Sequence, residues 1–441
     1  MVDILPEILL FSPSNPLRTP VSDYARSYLS AIQGHKGMTA TSILSGVIPE
    51  RLDGQEDSIQ WVKRMTGMVM KAHHAHPTQV LHGHIGLGTK REFWALKKAG
   101  QMLPRAPVCL TFHDPPELPQ PVLPPDGSQK RGLIERSLLN LSSRLSNYGQ
   151  EGLEKNFLER ADLLCGMSNR ACSLLLQRYP HFRHKIARIP PVMMGVTPGD
   201  LAPNSRRRTE PVRITLFGFL RPSKGIDELL QALAFLQNRE SLSTRAVVRI
   251  RGRMPEEYQR AKFDARIEKR IEEFGLRWLV DFEAGSLKEA GLSKLLQDTD
   301  ILVIPNVSGS NDSTSLSLLR AMGWCVAVVA SNTGAMPELI DHGKNGVLYP
   351  AGDPTALADG LDTLIKKSDV RMGLSRALRK RAVQEYAPDV VSDKMRELYL
   401  EVIHARHENR PVQLPDFARV EIEEEFTQRD MEQEAAENAE A

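Results

Sequence analysis

Two cations stand three residues apart in Leu216-Phe217-Gly218-Phe219-Leu220-Arg221-Pro222-Ser223-Lys224-Gly225, directly after an apolar run that reads as a strand. A guanidinium that can bond at two points, with an ammonium beside it, suits a polyanion such as a diphosphate. The bland alternative is a solvated basic turn. Farther along, Ser310-Asn311-Asp312-Ser313-Thr314-Ser315 precedes a helix over Leu316 to Met322. Small polar residues there leave backbone N–H groups open at the positive end of the helix dipole, which is an anion site. They are also the ordinary N-caps. Histidines form the third group. His113 follows an apolar strand, His82 and His84 end the strand before it, and His73, His74 and His76 lie just upstream. A neutral imidazole at a strand end can hydrogen-bond a ligand hydroxyl or simply its own chain. A metal site is not indicated, because the spacing lacks an i, i+4 histidine pair on one helix and a partnered acid motif.

The elements that must position these residues alternate along the chain. Strands are expected at Ile8 to Ser12, Thr78 to His82, Ala106 to Phe112, Ala161 to Gly166 and Lys185 to Ile189, with a helix over Ser22 to Gln33. Ala202 to Pro211 is polar, basic and flanked by proline, and reads as a linker. A second alternation follows. Strands are expected at Val212 to Phe217, Ala246 to Ile250, Trp278 to Phe282, Ile301 to Ile304 and Val326 to Ala330. Helices are expected at Gly225 to Gln237, Glu256 to Phe274, Leu287 to Asp298, Ser315 to Gly323 and Ala356 to Lys366. This predicts an α/β chain with two Rossmann-like domains, at 1–200 and 211–380, each a parallel sheet that binds ligands at the carboxyl ends of its strands. Val370 to Arg406 is mostly helical, and the 381–410 segment is expected to return to the first domain. Residues 411–441 read as an acidic, disordered tail.

Composition narrows the classes. The 441 residues carry 57 Lys plus Arg against 55 Asp plus Glu, so no basic excess points to nucleic acid. Cys109, Cys165, Cys172 and Cys325 are far apart, with neither zinc nor disulfide spacing, and fit a reducing cytosol. No basic leader with a long apolar run opens the chain, and no spanning stretch follows. A cytoplasmic protein is expected.

Taken in order, Leu216 to Gly225, Asp300 to Gly323 (DILVIPNVSGSNDSTSLSLLRAMG) and Val326 to Pro350 (VAVVASNTGAMPELIDHGKNGVLYP) resemble the retaining glycosyltransferases of family 4, which have the GT-B fold. The match covers most of residues 212–365. It includes the family's strand, glycine turn and Arg/Lys pair, its proline–glutamate helix start and its asparagine–glycine hairpin. The resemblance implies a nucleotide-sugar substrate whose diphosphate gains charge as the glycosidic bond breaks. Arg221 and Lys224 would stabilise that charge more in the transition state than in the ground state. Gly218 would shape the turn, and Ser313, Thr314 and Ser315 would receive the phosphates. His113 would lie beside the reacting sugar with Asp312. Glu338 would bind a sugar hydroxyl or complement a helix dipole. Ser168 matches the family's small hydroxyl after a first-domain strand. His82, His84 and Arg18 would line the acceptor side. No metal or other cofactor is expected. The acceptor would be a saccharide or a lipid-linked molecule, in cell-surface polysaccharide biosynthesis.

Two departures weigh against a simple transfer of roles. Aligning Leu318 to Met322 with the family's helix places Asp312 and Arg320 where two glutamates usually stand eight positions apart. Arg320 has donors and no acceptor, so it cannot replace a ribose-binding carboxylate. The first domain lacks the paired glycines of its opening turn, where Arg18 supplies charge or simply faces solvent. Gly132 to Leu141, with basic neighbours Lys130, Arg131 and Arg144, suits either a peripheral membrane contact or an ordinary packed helix. Sugar transfer leads these readings. The alternative is an inactive GT-B partner of another transferase, and a nucleotide-sugar epimerase would need cleft acids that are not evident.

Overall fold

The computed structural model describes residues 5–12, 20–43, 58–85, 90–113, 157–195, 211–239, 246–253, 260–285, 289–307 and 315–420. Within them the apolar runs form two six-stranded sheets in which every strand pairing is parallel. The first sheet holds β1 (Glu7–Phe11), β2 (Thr39–Ser42), β3 (Val80–Ile85), β4 (Val108–Phe112), β5 (Leu163–Gly166) and β6 (Ile186–Arg188) in the order β2-β1-β3-β4-β5-β6. Helices α1 (Pro20–Gln33), α2 (Ser58–Ala75), α3 (Lys90–Met102) and α4 (Asn169–Arg178) connect and cover it. β3 and β4 are buried at every position, as strands covered on both faces must be.

The second sheet holds β7 (Val212–Phe219), β8 (Ala246–Arg253), β9 (Val280–Ala284), β10 (Ile301–Ile304), β11 (Ala327–Ser331) and β12 (Val347–Tyr349) in the order β12-β11-β10-β7-β8-β9. Its helices are α5 (Ile226–Asn238), α6 (Arg260–Glu273), α7 (Glu289–Gln297), α8 (Leu316–Trp324), α9 (Met336–Leu339) and α10 (Pro354–Lys366). β7 lies between β8 and β10, so the strand order reverses there and leaves a crevice beyond the carboxyl ends of β7 and β10.

The chain ends in α11 (Ser368–Glu385) and α12 (Pro388–Glu408). α12 comes back to the first domain, where the Tyr399 hydroxyl is hydrogen-bonded to that of Tyr28 on α1 at 2.9 Å. One apolar cluster runs through the junction and joins Tyr24 and Tyr28, Val192 to Met194, Leu318 and Met322 of α8, and Leu398 of α12. The two sheets therefore share a core.

One expectation about the tail is corrected. Residues 411–420 do not belong with the acidic tail: Ala418 is fully buried, Val412, Leu414 and Phe417 pack against the shared core, and Arg188 Nη2 donates to the Phe417 carbonyl at 3.3 Å. Four apolar residues in this short stretch have a surface to cover, and the acidic run begins only after them. Residues 421–441, the linker expected at 202–210 and the amphipathic stretch at 132–141 lie outside the described residues.

Candidate functional site

The cationic turn is built by β7 and by the close approach of its neighbours. β7 ends at Phe219, and Pro222–Lys224 makes one tight helical turn with Arg221 at its N-cap. Gly225 closes it with φ at +63°, and a Cβ there would fall 1.6 Å from the Pro305 carbonyl oxygen. Only glycine lets α5 begin this close to the end of β10. The Val307 N–H donates to the Ser223 carbonyl at 3.0 Å, tying the segment after β10 to the same turn. Gly218, with φ at +141°, sits under Ser317 of α8, whose hydroxyl donates to the Phe217 carbonyl at 3.0 Å. The turn after β7 and the start of α8 thus form one floor.

On this floor the Arg221 guanidinium lies 5.7 Å from the Phe219 ring centre. Its Nε–H is buried and has no hydrogen-bond partner among the described residues. Lys224, half-buried, ends the turn. Ser315 is the N-cap of α8, its Oγ accepting from the Leu318 N–H at 3.3 Å. That is the capping role weighed for it, and it leaves the serine hydroxyl committed to the helix. Arg18, Asp312, Ser313 and Thr314 lie outside the described residues.

Across the molecule, the carboxyl ends of β3 and β4 carry a buried cluster of rings. His82 is hydrogen-bonded through Nδ1 to the Tyr399 hydroxyl and through Nε2 to Thr111 Oγ1 at 2.7 Å. His84 Nδ1 is 2.9 Å from His113 Nε2, and His84 Nε2 is buried without a partner. The Tyr24 ring meets His113 edge-on at 5.0 Å, and the Tyr28 ring meets His84 at 5.1 Å. Burial holds His82 and His113 down to about 3 and His84 well below the ordinary range. The imidazoles are therefore neutral at pH 7.

Several expected roles change. His82 and His84 do not line an acceptor surface: both are fully buried, and His82 has both ring nitrogens engaged inside the protein. Both lie within β3, which runs on to Ile85 and is buried at every position. Glu338 serves as a helix cap between the domains. Its carboxylate oxygens accept from the Asn169 N–H (2.7 Å) and the Arg170 N–H (2.8 Å), capping α4 of the other domain next to that helix's own cap, Ser168. This is the dipole-complementing alternative, realised between domains. Arg320, expected at the donor, is 6% exposed and donates to Glu289 Oε1 at 2.7 Å. No local pattern marks Tyr24, Tyr28, Thr111 and Tyr399, because their contacts join segments as far as 371 residues apart. Among the described residues, no group of three or more His, Cys, Asp or Glu could hold a metal ion. Nor is any described helix long and apolar enough to cross a membrane.

Comparison with known proteins finds a family likeness in the second half. Residues 200–382 match the family model described as "Glycosyl transferases group 1". This stretch resembles a group 1 glycosyltransferase domain. The D-inositol 3-phosphate glycosyltransferase of Corynebacterium jeikeium (strain K411) is 29% identical over 266 residues, which are 58% of this chain and 60% of that protein. The chain thus spans little more than half the length of this curated relative. A glycosyltransferase from Rickettsia africae ESF-5 superposes with a TM-score of 0.61 at 16% identity, covering 90% of this chain and 99% of that one. Anabaena Alr3699/HepE, solved in complex with UDP and glucose, gives 0.58 at 16% identity over 88% and 98%. These likenesses carry the fold. With its two Rossmann-like domains, the chain has the GT-B architecture, and its second domain contributes the crevice floor.

Proposed function

We propose that the protein moves a glycosyl group from a nucleotide-sugar to a hydroxyl of a saccharide or lipid-linked acceptor, with retention at the anomeric carbon. The observation that carries this reading is the Arg221 Nε–H, a charged donor withdrawn from water and unmatched among the described residues. It sits where the strand order of an α/β sheet reverses, the place such sheets bind phosphate-bearing ligands. An unmatched buried donor costs about 1–3 kcal/mol, which a diphosphate oxygen would offset. The Anabaena neighbour's UDP and glucose support a nucleotide-sugar donor, and the corynebacterial relative's name supports a polyol-like acceptor.

The chemistry follows from that placement. The bond between the anomeric carbon and the diphosphate oxygen breaks, and its electron pair leaves with the diphosphate. Arg221, Lys224 and the N-terminus of α8 face the charge that grows there, so their interaction strengthens in the transition state. The acceptor oxygen bonds the anomeric carbon on the face the diphosphate leaves, and its proton passes to a diphosphate oxygen. Positive charge builds on the sugar meanwhile. The neutral His113 ring can accept from a sugar or acceptor hydroxyl without opposing it. The reading needs no cofactor beyond the nucleotide-sugar.

The test is a panel of UDP- and GDP-sugars offered with saccharide and lipid-linked acceptors, with the product anomer read by NMR. Transfer with retained configuration is expected. Inverted product would overturn the retaining path. Nucleotide binding with no sugar released anywhere in the panel would favour a non-catalytic partner of another transferase.

A further inference from the structure

We infer that Glu289 recognises the ribose hydroxyls of the bound nucleotide and that Arg320 positions it, an assignment that rests on the nucleotide-binding reading above. Arg320 stands three residues beyond Ser317, whose hydroxyl donates to the Phe217 carbonyl near the end of β7. Residues three apart share a helix face, so Arg320 lies on the side of α8 that turns toward the strand ends. Its Nη1 donates to Glu289 Oε1 at 2.7 Å; the arginine side chain is buried and the glutamate side chain is 50% exposed. Glu289 opens α7, just past the carboxyl end of β9. A pair of charges thus stands at the crevice side of the sheet, with its cation inside and its carboxylate facing out.

A ribose presents neighbouring hydroxyl donors. In doubly wound sheets, a carboxylate beyond a strand's carboxyl end is the group that accepts from them. Arg320 has donors only and cannot do this. It can hold Glu289 ionised and in one orientation, because a guanidinium stays charged when buried. A carboxylate has about four acceptor sites, so one that holds an arginine can also take a hydroxyl. The carboxylates of β9 itself, Asp281 and Glu283, both pair with Arg251 on β8. Glu289 is thus the binding residue and Arg320 the positioning residue.

Calorimetric titration of the full chain tests this with three probes: UDP or GDP, the 2′,3′-dideoxy form of the same nucleotide, and inorganic pyrophosphate. The wild type is expected to bind the ribonucleotide about tenfold or more tightly than the dideoxy form, the effect of hydrogen bonds to a charged group. Glu289→Ala is expected to bring that ratio to about one while leaving pyrophosphate affinity unchanged. Arg320→Met is expected to lower the ratio, and Arg320→Lys to restore part of it, again with pyrophosphate unmoved. Should the buried Arg320 variants fail to fold, the half-exposed Glu289→Ala still decides. An unchanged ratio in Glu289→Ala overturns the assignment. A wild type that binds none of the three probes overturns the nucleotide reading itself, and this inference with it.

Discussion

At the carboxyl ends of β3 and β4, three imidazoles are sealed among the phenols of Tyr24, Tyr28 and Tyr399 and the hydroxyl of Thr111, and every one of these groups is neutral at pH 7. At the end of β7, a guanidinium and an ammonium instead line a turn, with one charged N–H left unmatched. Burial explains the contrast. Groups that can shed charge do so when withdrawn from water, whereas an arginine cannot and must find an anion. The polar cluster of the first domain is thus a neutral wall, and the second domain concentrates positive charge at the turn after β7.

Acid should break the wall before the floor. An unfolded histidine takes its proton near 6.5, while His82 and His113 in the fold do so only at about 3. The unfolded chain therefore binds more protons between those values. Stability is undiminished above about pH 6.5, falls as the pH drops below it, and has lost several kcal/mol per histidine by about pH 3. Urea unfolding across that range reads the slope, and a flat profile would contradict buried neutral imidazoles. The floor should answer to charge removal instead. Lys224→Ala is expected to lose about 2–4 kcal/mol of transition-state stabilisation, roughly 30- to 1000-fold in turnover, with little change in unfolding. Unchanged turnover would take the lysine out of the mechanism.

Two smaller effects sharpen the comparison at the junction. Glu338→Ala removes two charge-assisted hydrogen bonds between the halves, a loss of about 1–3 kcal/mol. It should appear as faster hydrogen exchange at the Asn169 and Arg170 amides. Protection there equal to wild type would mean the cap does not hold the domains together. Ser315→Ala removes an N-cap and should cost about 1 kcal/mol in stability. A much larger loss of nucleotide affinity than of stability would show that its hydroxyl also serves the ligand.

Much of the fold was legible because short continuous apolar runs alternate with amphipathic stretches along the chain. Ile301–Ile304 lies where the apolar run predicts it, and β7 runs two residues beyond its predicted end. β2 was not, since its sequence TATS has no apolar residue but Ala40 to mark an edge strand. In the site, the Arg221–Gly225 turn was readable because a turn's chemistry is local. The roles of Glu338, His82 and Arg320 were not. Each is decided by a partner on another element: the amides of α4, Tyr399 on α12, and Glu289 on α7. A residue type announces what it can bond; only packing decides which bond it makes.

The central claim is that the floor beyond β7 receives a diphosphate through Arg221. Calorimetry of UDP and GDP on the wild type and on Arg221→Met tests it most directly. The account predicts binding of at least one nucleotide by the wild type, weakened about tenfold or more in the variant, whose apolar side chain still covers Phe219. Equal affinity in the two proteins, or no affinity for either nucleotide in the wild type, would contradict it.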